Sequence, residues 1–298
     1  MNTRFKTSTS SKIFDAANFI MLTLFAIACM YPFYYIFLYS ISDSVAAARG
    51  DVILVPIQPD LSTYKQLLSR DEIMNAALVS ATRTIVGTAL MVLASSFFAY
   101  VLTRSDLPLK KTIYRYTIFT MYISAGLIPW YILMIRLGFK NNFMLYVIPG
   151  AIAPFNIILV KTYIEQIPDS LEEAARMDGA GLLLTFFRII MPVSLPIIAT
   201  IAIFGAIGQW NSWQDNFYLV NKRELMTLQM MLLNYLSTAM ATGDKNKGIM
   251  DRIQQSRTIS PMSLKMTMSV ITVLPILCVY PILQKYFIHG IMIGSVKG

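Results

Sequence analysis

The chain has few of the side chains from which catalytic and metal-binding sites are usually built. Its 298 residues include one histidine, His289, and two cysteines, Cys29 and Cys278, which do not form a CxxC pair. Both cysteines lie in long apolar stretches, where a free cysteine behaves as a small hydrophobic side chain. The sequence also contains no GxxxxGK[ST] phosphate-binding loop. We therefore expect a protein that is not an enzyme and that holds no metal and no cofactor.

Charge is scarce as well, which limits the classes of partner. Only 14% of the residues are charged, and the net charge of +9 is spread over many separate polar segments. This spread does not make the concentrated basic surface that binds nucleic acid, so we expect no nucleic-acid partner. Hydrophobic residues make up 56% of the chain, a composition typical of a protein embedded in a lipid bilayer.

Six uncharged stretches are long enough to cross a bilayer as helices, which need about 20 mostly apolar residues each. They are residues 16–42, 84–103, 116–135, 141–160, 189–214 and 266–284. A seventh stretch, 225–243, is rich in Met but contains Gln229 and Asn234. We interpret it as an amphipathic helix that lies at the membrane surface or packs on the other helices, rather than as a span. The expected fold class is an all-α integral membrane protein with six transmembrane helices.

Basic residues flank these stretches on one side and predict the orientation of the chain. They are Arg4, Lys6, Lys12, Arg104, Lys110, Lys111 and Arg115. Because positive residues concentrate on the cytoplasmic side of membrane proteins, we expect both termini in the cytoplasm. The expected organisation is a cytoplasmic tail at 1–12, a six-helix permeation domain at 13–290 and a second cytoplasmic tail at 291–298.

The loop between the fourth and fifth spans, residues 165–192, carries the strongest functional signal. It departs from the usual positive bias, and its acidic residues are Glu165, Asp169, Glu172, Glu173 and Asp178. Pro168 ends the preceding helix, and Ser170 stands three residues before Glu173, at capping-box spacing. Gly179 can close a helix in the left-handed conformation. These signals predict a short helix that either docks into a groove of a soluble partner or packs on its own domain.

The same loop resembles a motif of a known family. Glu173-Ala174-Ala175 is followed by Gly179, Ile189 and Pro192 at the spacing of the EAA loop of ABC-importer permeases. Met191 stands where that family usually has Leu, a change that conserves volume. The resemblance covers most of the chain, which is similar to the maltose-type inner subunit of the carbohydrate-uptake permeases. Within that family it looks closest to complex-oligosaccharide permeases of Gram-positive bacteria.

The resemblance implies a type I ABC importer permease with a cytoplasmic coupling helix between helices 4 and 5. The implied partners are two copies of a cytoplasmic ABC ATPase, a second permease subunit in a heterodimer and an extracellular solute-binding lipoprotein. ATP hydrolysis would then belong to the ATPase, and this chain would lie in the bacterial cell membrane. The residues expected to carry the coupling are Glu172, Glu173, Ala174, Ala175, Asp178, Gly179, Ile189 and Pro192.

Polar and aromatic residues near the end of the fifth span are candidates for the substrate passage. They are Gln209, Trp210, Asn211, Trp213 and Asp215. Aromatic faces can stack on sugar rings and amides can pair with hydroxyls, although an aromatic belt at the outer interface would give the same pattern. Arg83, in the second span, is favoured as a side chain that snorkels to the interface. The alternative pairs Arg83 with Asp215 or turns it toward an acidic sugar.

Two other classes of protein fit the sequence less well. A self-contained secondary transporter or channel would show internal repeats and intramembrane carboxylates, whereas this sequence has no repeat and Asp215 as its one candidate carboxylate deep in a span. An integral membrane enzyme would need clustered catalytic side chains. We therefore expect the permease subunit of an ATP-driven oligosaccharide importer, which forms the translocation path.

Overall fold

The computed structural model describes residues 9–237 and 260–291, and all regular structure within them is helical. The chain divides into two compact units. The first comprises residues up to 69 together with 235–271, and the second comprises residues 70–234 together with those from 272 onward. The predicted tails, 1–12 and 291–298, lie outside the described residues except where they overlap the first and last described helices.

The first unit contains a long apolar helix and two short ones. They are α1 (Thr9–Ser40), α2 (Ser44–Ala48) and α3 (Ser62–Leu68). The Asp43 side chain accepts hydrogen bonds from the backbone nitrogens of Val45 and Ala46 and so caps α2. The most apolar part of α1 has no residue buried within the chain. A helix that is apolar on every side needs an apolar environment around it, which here suits lipid.

The second unit holds most of the remaining helices. Their bounds are α4 (Asp71–Thr103), α5 (Lys110–Tyr122), α6 (Leu127–Arg136), α7 (Met144–Val147), α8 (Pro154–Ile164), α9 (Asp169–Met177), α10 (Leu182–Thr185), α11 (Met191–Val193), α12 (Leu195–Asn211) and α13 (Gln214–Leu219). Two further helices, α14 (Leu228–Ser237) and α15 (Pro261–Ile291), have residues in both units. The core forms where α4 packs along α8 and α12, and its largest fully buried side chains include Tyr100, Phe186 and Ile157.

Among the described residues, three helices are long and apolar enough to cross a membrane, or five if each of two bent pairs counts as one span. The third predicted span, 116–135, is not one straight helix, because α5 and α6 meet at 117° around Gly126, whose φ is +82°. The fourth, 141–160, is interrupted between α7 and α8, with Pro149 inside the break and Pro154 beginning α8. Proline cannot supply a helical N–H, so both prolines fall where helices stop or start.

The fifth predicted span also begins later than its apolar stretch indicates. The segment Leu182–Val193 meets α12 at 86°, and α12 begins at Leu195. Within that segment, Phe186–Ile190 forms a π-helical turn. The predicted amphipathic helix at 225–243 is present in part as α14, and its residues 238–243 lie outside the described residues.

Candidate functional site

The predicted short helix is present as α9, and local chemistry explains both of its ends. Pro168 precedes the helix in an extended conformation, and Asp169 and Glu172 lie in the first turn, where negative charge is favourable. Because α9 begins at Asp169, Ser170 lies inside the first turn and the predicted capping box is wrong. At the other end Gly179 has φ +79°. The amide of Ala180 donates to the Ala175 carbonyl at 2.9 Å, which with the 3.0 Å bond from Gly179 to Arg176 makes a Schellman closure.

One face of α9 is fixed to the end of α4. The Glu172 carboxylate accepts hydrogen bonds from the Tyr100 hydroxyl at 3.1 Å, from Arg176 at 3.0 Å and from Arg104. Ala175, one turn further along, is 5% exposed. Charge-assisted hydrogen bonds of this kind are stronger than neutral ones. The side chain of Glu172 is therefore engaged within this chain rather than offered to a partner.

Arg104 extends this charged cluster into the loop that follows α4. It donates to Asp106 at 3.1 and 3.2 Å as well as to Glu172. The hydrogen bonds from Arg104 lower the pKa of the Asp106 carboxyl below its ordinary value. The loop after α4 and the helix α9 are thus joined through one guanidinium group.

The opposite face of α9 is exposed. Glu173 and Ala174 are exposed, and the Met177 side chain is 88% exposed. The remaining predicted coupling residues lie just beyond: Asp178 and Gly179 at the helix end, Ile189 half-buried in the π-helical turn and Pro192 exposed in α11. The same turn is held against α4, because Phe186 stacks on Tyr100 with ring centroids 5.6 Å apart. Both α9 and the turn after it therefore rest on the last turns of α4.

A second cluster of polar groups surrounds Arg83. Its side chain is 3% exposed, so the favoured snorkelling interpretation is wrong. The guanidinium donates to both carboxylate oxygens of Asp215, one at 3.1 Å, to Gln209 at 2.9 Å and to the Ser212 carbonyl at 3.3 Å. The alternative pairing of Arg83 with Asp215 is confirmed. The guanidinium also lies over the Tyr146 ring, 4.5 Å from its centroid.

Sequence reasoning missed Tyr146, which connects this cluster to its surroundings. Its hydroxyl donates to the Leu225 carbonyl at 2.6 Å and accepts from the Asn216 amide at 2.5 Å. Its backbone carbonyl accepts from the Gln209 amide at 3.1 Å. A tyrosine inside an apolar run has no local signature, so only the fold reveals its role.

The same cluster borders a cavity of about 370 Å³, which is also lined by further residues of α4, α8 and α12. Three of the predicted passage residues line it: Arg83, Gln209 and Asp215. The other three do not. Trp210 donates its indole N–H to the Thr272 carbonyl at 3.1 Å, Asn211 is exposed, and Trp213 packs edge-on against Phe217. The lining also contains Trp130 and Asn156, which the sequence analysis did not single out. A polar Asn156 within an apolar stretch was the available signal.

An all-helical, multi-pass membrane protein with an exposed short helix and a buried cluster of charged and polar side chains has the features of a permease. Comparison with known proteins identifies the class. A family described as the binding-protein-dependent transport system inner membrane component matches residues 91–213. The polygalacturonan/rhamnogalacturonan transport system permease protein YtcP of Bacillus subtilis (strain 168) is 33% identical, over 97% of this chain and 99% of its own length. Protein LplC of the same strain is also 33% identical, over 97% and 96%.

A solved structure agrees with these relatives. A chain from the crystal structure of a bacterial ABC transporter involved in the import of the acidic polysaccharide alginate superposes with a TM-score of 0.87. It is 31% identical and is matched over 96% of this chain and 100% of its own. The chain therefore belongs to the family of inner-membrane permease subunits of binding-protein-dependent ABC importers. The resemblance and the fold class predicted from sequence are confirmed. Membership in this family implies an ATPase, a second permease and a solute-binding protein as partners.

Proposed function

We propose that this permease imports an oligosaccharide and is driven by two copies of a cytoplasmic ATPase, one of which docks on α9 of this chain. The observation that carries the proposal is the division of α9 into two faces. Glu172 and Ala175 are held by the chain itself, whereas Glu173, Ala174 and Met177 face outward. A short helix with a small, exposed apolar face suits a groove on another protein. In this arrangement the ATPase binds the exposed face of α9. Its movement is passed to α4 through the face of α9 that holds Glu172 and Ala175.

The family supports the following proposal for the remaining assembly. The second permease is a different chain, so the pair is a heterodimer, and an extracellular lipoprotein delivers the sugar. Both termini of this chain lie in the cytoplasm of a bacterial cell. ATP is hydrolysed on the partner subunit, and this chain contributes the coupling loop and part of the path.

The proposed substrate class is based on the substrates for which the relatives are named. YtcP is named for polygalacturonan and rhamnogalacturonan, and the solved importer for alginate, an acidic polysaccharide. Relatives near 26% identity are named for melibiose, raffinose and stachyose, or for arabino-oligosaccharides. All of these names refer to oligosaccharides or polysaccharides, which is why we propose an oligosaccharide as the substrate. One that contains uronic acid is the first candidate to test.

The test is purification of the tagged chain from its native host in mild detergent, with mass spectrometry of the proteins that accompany it. The wild-type chain is expected to bring an ATPase and a second permease. Glu173→Arg is expected to lose the ATPase and to keep the second permease. The matched control is Glu224→Arg, which changes an exposed carboxylate outside the coupling loop and should retain both partners. A wild-type chain that purifies alone, under conditions that preserve other importers, would favour a self-contained transporter.

A further inference from the structure

The cavity between α4, α8 and α12 is lined by a polar side chain, Asn156, whose hydrogen-bonding groups remain available. Asn156 is 7% exposed and lines the cavity. Its amide nitrogen contacts the sulfur of Met91 at 2.9 Å, and a thioether is only a weak acceptor. Among the described residues, its side-chain oxygen accepts no hydrogen bond. Buried amides are normally paired, so this amide is placed to donate and to accept within the cavity.

The charged groups of the cavity and the Gln209 amide are already engaged within the protein. The Arg83 guanidinium is bonded to Asp215, Gln209 and the Ser212 carbonyl. Gln209 uses its oxygen for Arg83 and its nitrogen for the Tyr146 carbonyl. The positive and negative charges are therefore matched inside the protein. The cavity offers an uncharged amide rather than a free cation, so it suits hydroxyl groups better than a carboxylate.

Much of the remaining lining consists of aromatic side chains and glycines. Trp130 and Phe204 supply aromatic surface, and Gly150, Gly205 and Gly208 supply backbone without side chains. Aromatic surface next to a few polar groups is the usual make-up of a small-molecule pocket. The volume of about 370 Å³ is at the lower end of the roughly 300–1,000 Å³ that such pockets occupy. It suits one sugar ring rather than a whole oligosaccharide.

We propose that this cavity is a subsite for one pyranose ring of the imported oligosaccharide. The Asn156 amide bonds ring hydroxyls, and Trp130 lies against the apolar face of the ring. This subsite rests on the proposed function, because it assumes that an oligosaccharide passes through the chain. It adds that the cavity contacts a ring through its hydroxyls and its apolar face rather than through a free cation.

Gly208 gives a direct way to fill the cavity. A Cβ atom built at Gly208 meets no atom within 4 Å, and the residue lies within α12. A side chain there starts in open space, and leucine is well tolerated in helices. The test variant is Gly208→Leu in the complete importer. Its matched control is Ala89→Leu, which adds bulk at an exposed position of α4 that does not line the cavity.

Asn156→Leu gives an independent test of the amide. Leucine has a similar size, and because the Asn156 amide contacts the weakly accepting sulfur of Met91, the replacement leaves no strongly polar group unpaired and should be nearly neutral. If Asn156 were only structural, the variant would keep uptake as long as the protein stayed folded. If Asn156 binds sugar, half-maximal uptake should need more substrate, by about fivefold to tenfold for one or two lost hydrogen bonds, while the midpoint of thermal unfolding is unchanged or higher.

The experiment measures uptake into proteoliposomes that contain the importer and its binding protein. Radiolabelled trigalacturonate and raffinose serve as probes, and the one that the wild-type importer accumulates is carried forward. Gly208→Leu is expected to lower uptake about tenfold or more, since a ring excluded from its subsite loses more than one contact. The ATPase and the second permease should still accompany it, and Ala89→Leu should transport normally.

Two results would overturn the subsite. One is uptake within twofold of wild type for both Gly208→Leu and Asn156→Leu. The other is an equal loss in Ala89→Leu, which would make the effect unrelated to the cavity. Failure of the proposed function looks different, because then the wild-type chain itself accumulates neither sugar and brings no ATPase.

Discussion

Arg83 is a charge held inside an apolar helix by a matched partner. A charge near the middle of a membrane helix costs about 2.5–3.5 kcal/mol on insertion scales, and Asp215 offsets this with a bidentate pair. Removing one member of a buried pair costs about 3–5 kcal/mol, whereas replacing both with apolar residues is often neutral. We expect Arg83→Met and Asp215→Leu each to lower the unfolding midpoint in detergent, and the double variant to recover much of the loss. Losses that simply add would contradict the pairing.

Glu172 and Glu173 are adjacent in sequence but lie on different faces of α9, so we expect their substitutions to have different effects. Glu172 is bonded to Tyr100, Arg104 and Arg176, and Glu173 is exposed. Glu172→Gln should therefore keep the ATPase bound but loosen α9 from α4, so that less sugar is imported per ATP hydrolysed. Glu173→Gln, with the same chemical change, should weaken ATPase retention instead. The two readouts are sugar uptake and phosphate release in the same proteoliposomes. Identical behaviour of the two variants would contradict the division into two faces.

At the scale of the element, α9 depends on the backbone at its end. Gly179 has φ +79° and open space around its Cβ position, and Gly181 has the same open space but φ −74°. A left-handed conformation costs an L residue about 1–2 kcal/mol, less for Asn. We expect ATPase retention to fall in the order Gly, Asn, Ala, Val at position 179. Gly181→Ala should have no effect, since its φ is ordinary. Equal losses at both positions would point to lost surface rather than to backbone strain.

The sequence predicted α9 well because its ends are set by local signals. Pro168 and Gly179 act within a few residues of themselves, and the structure has both ends where these residues indicate. The capping box failed because Asp169 already starts the helix, which leaves Ser170 inside it. Apolar length alone indicated where apolar helices lie, but not the breaks around Gly126 and Pro149.

Contacts between residues that are far apart in the chain were the second limit on what could be predicted from the sequence. Arg83 and Asp215 are separated by 132 positions, so sequence offered their pairing only as an alternative to snorkelling. Tyr146 and Trp130 carry no pattern that distinguishes them from core aromatics. Their part in the cluster and the cavity depends on how α4, α6, α7 and α12 pack, which is a property of the folded unit.

At the scale of the whole molecule, α4 fixes which polar segments lie on opposite sides of the membrane. Its 33 residues span about 50 Å at 1.5 Å per residue, more than the roughly 30 Å hydrocarbon core. Near its start, Asn75 donates to the Glu224 carbonyl at 2.8 Å. Near its end, Tyr100 contacts Glu172 at 3.1 Å. Residues 224 and 173 should therefore face opposite compartments.

Cysteine labelling checks this in cells. Cys29 and Cys278 are first replaced by Ala, and then Glu224→Cys or Glu173→Cys is introduced alone. With the coupling loop in the cytoplasm, a membrane-impermeant maleimide should label position 224 in intact cells. Position 173 should react only after the membrane is permeabilised. It should react less when the ATPase is bound, because docking covers the exposed face of α9. Labelling of both positions from outside would contradict a membrane-spanning α4, and reversed labelling would place the termini outside the cell.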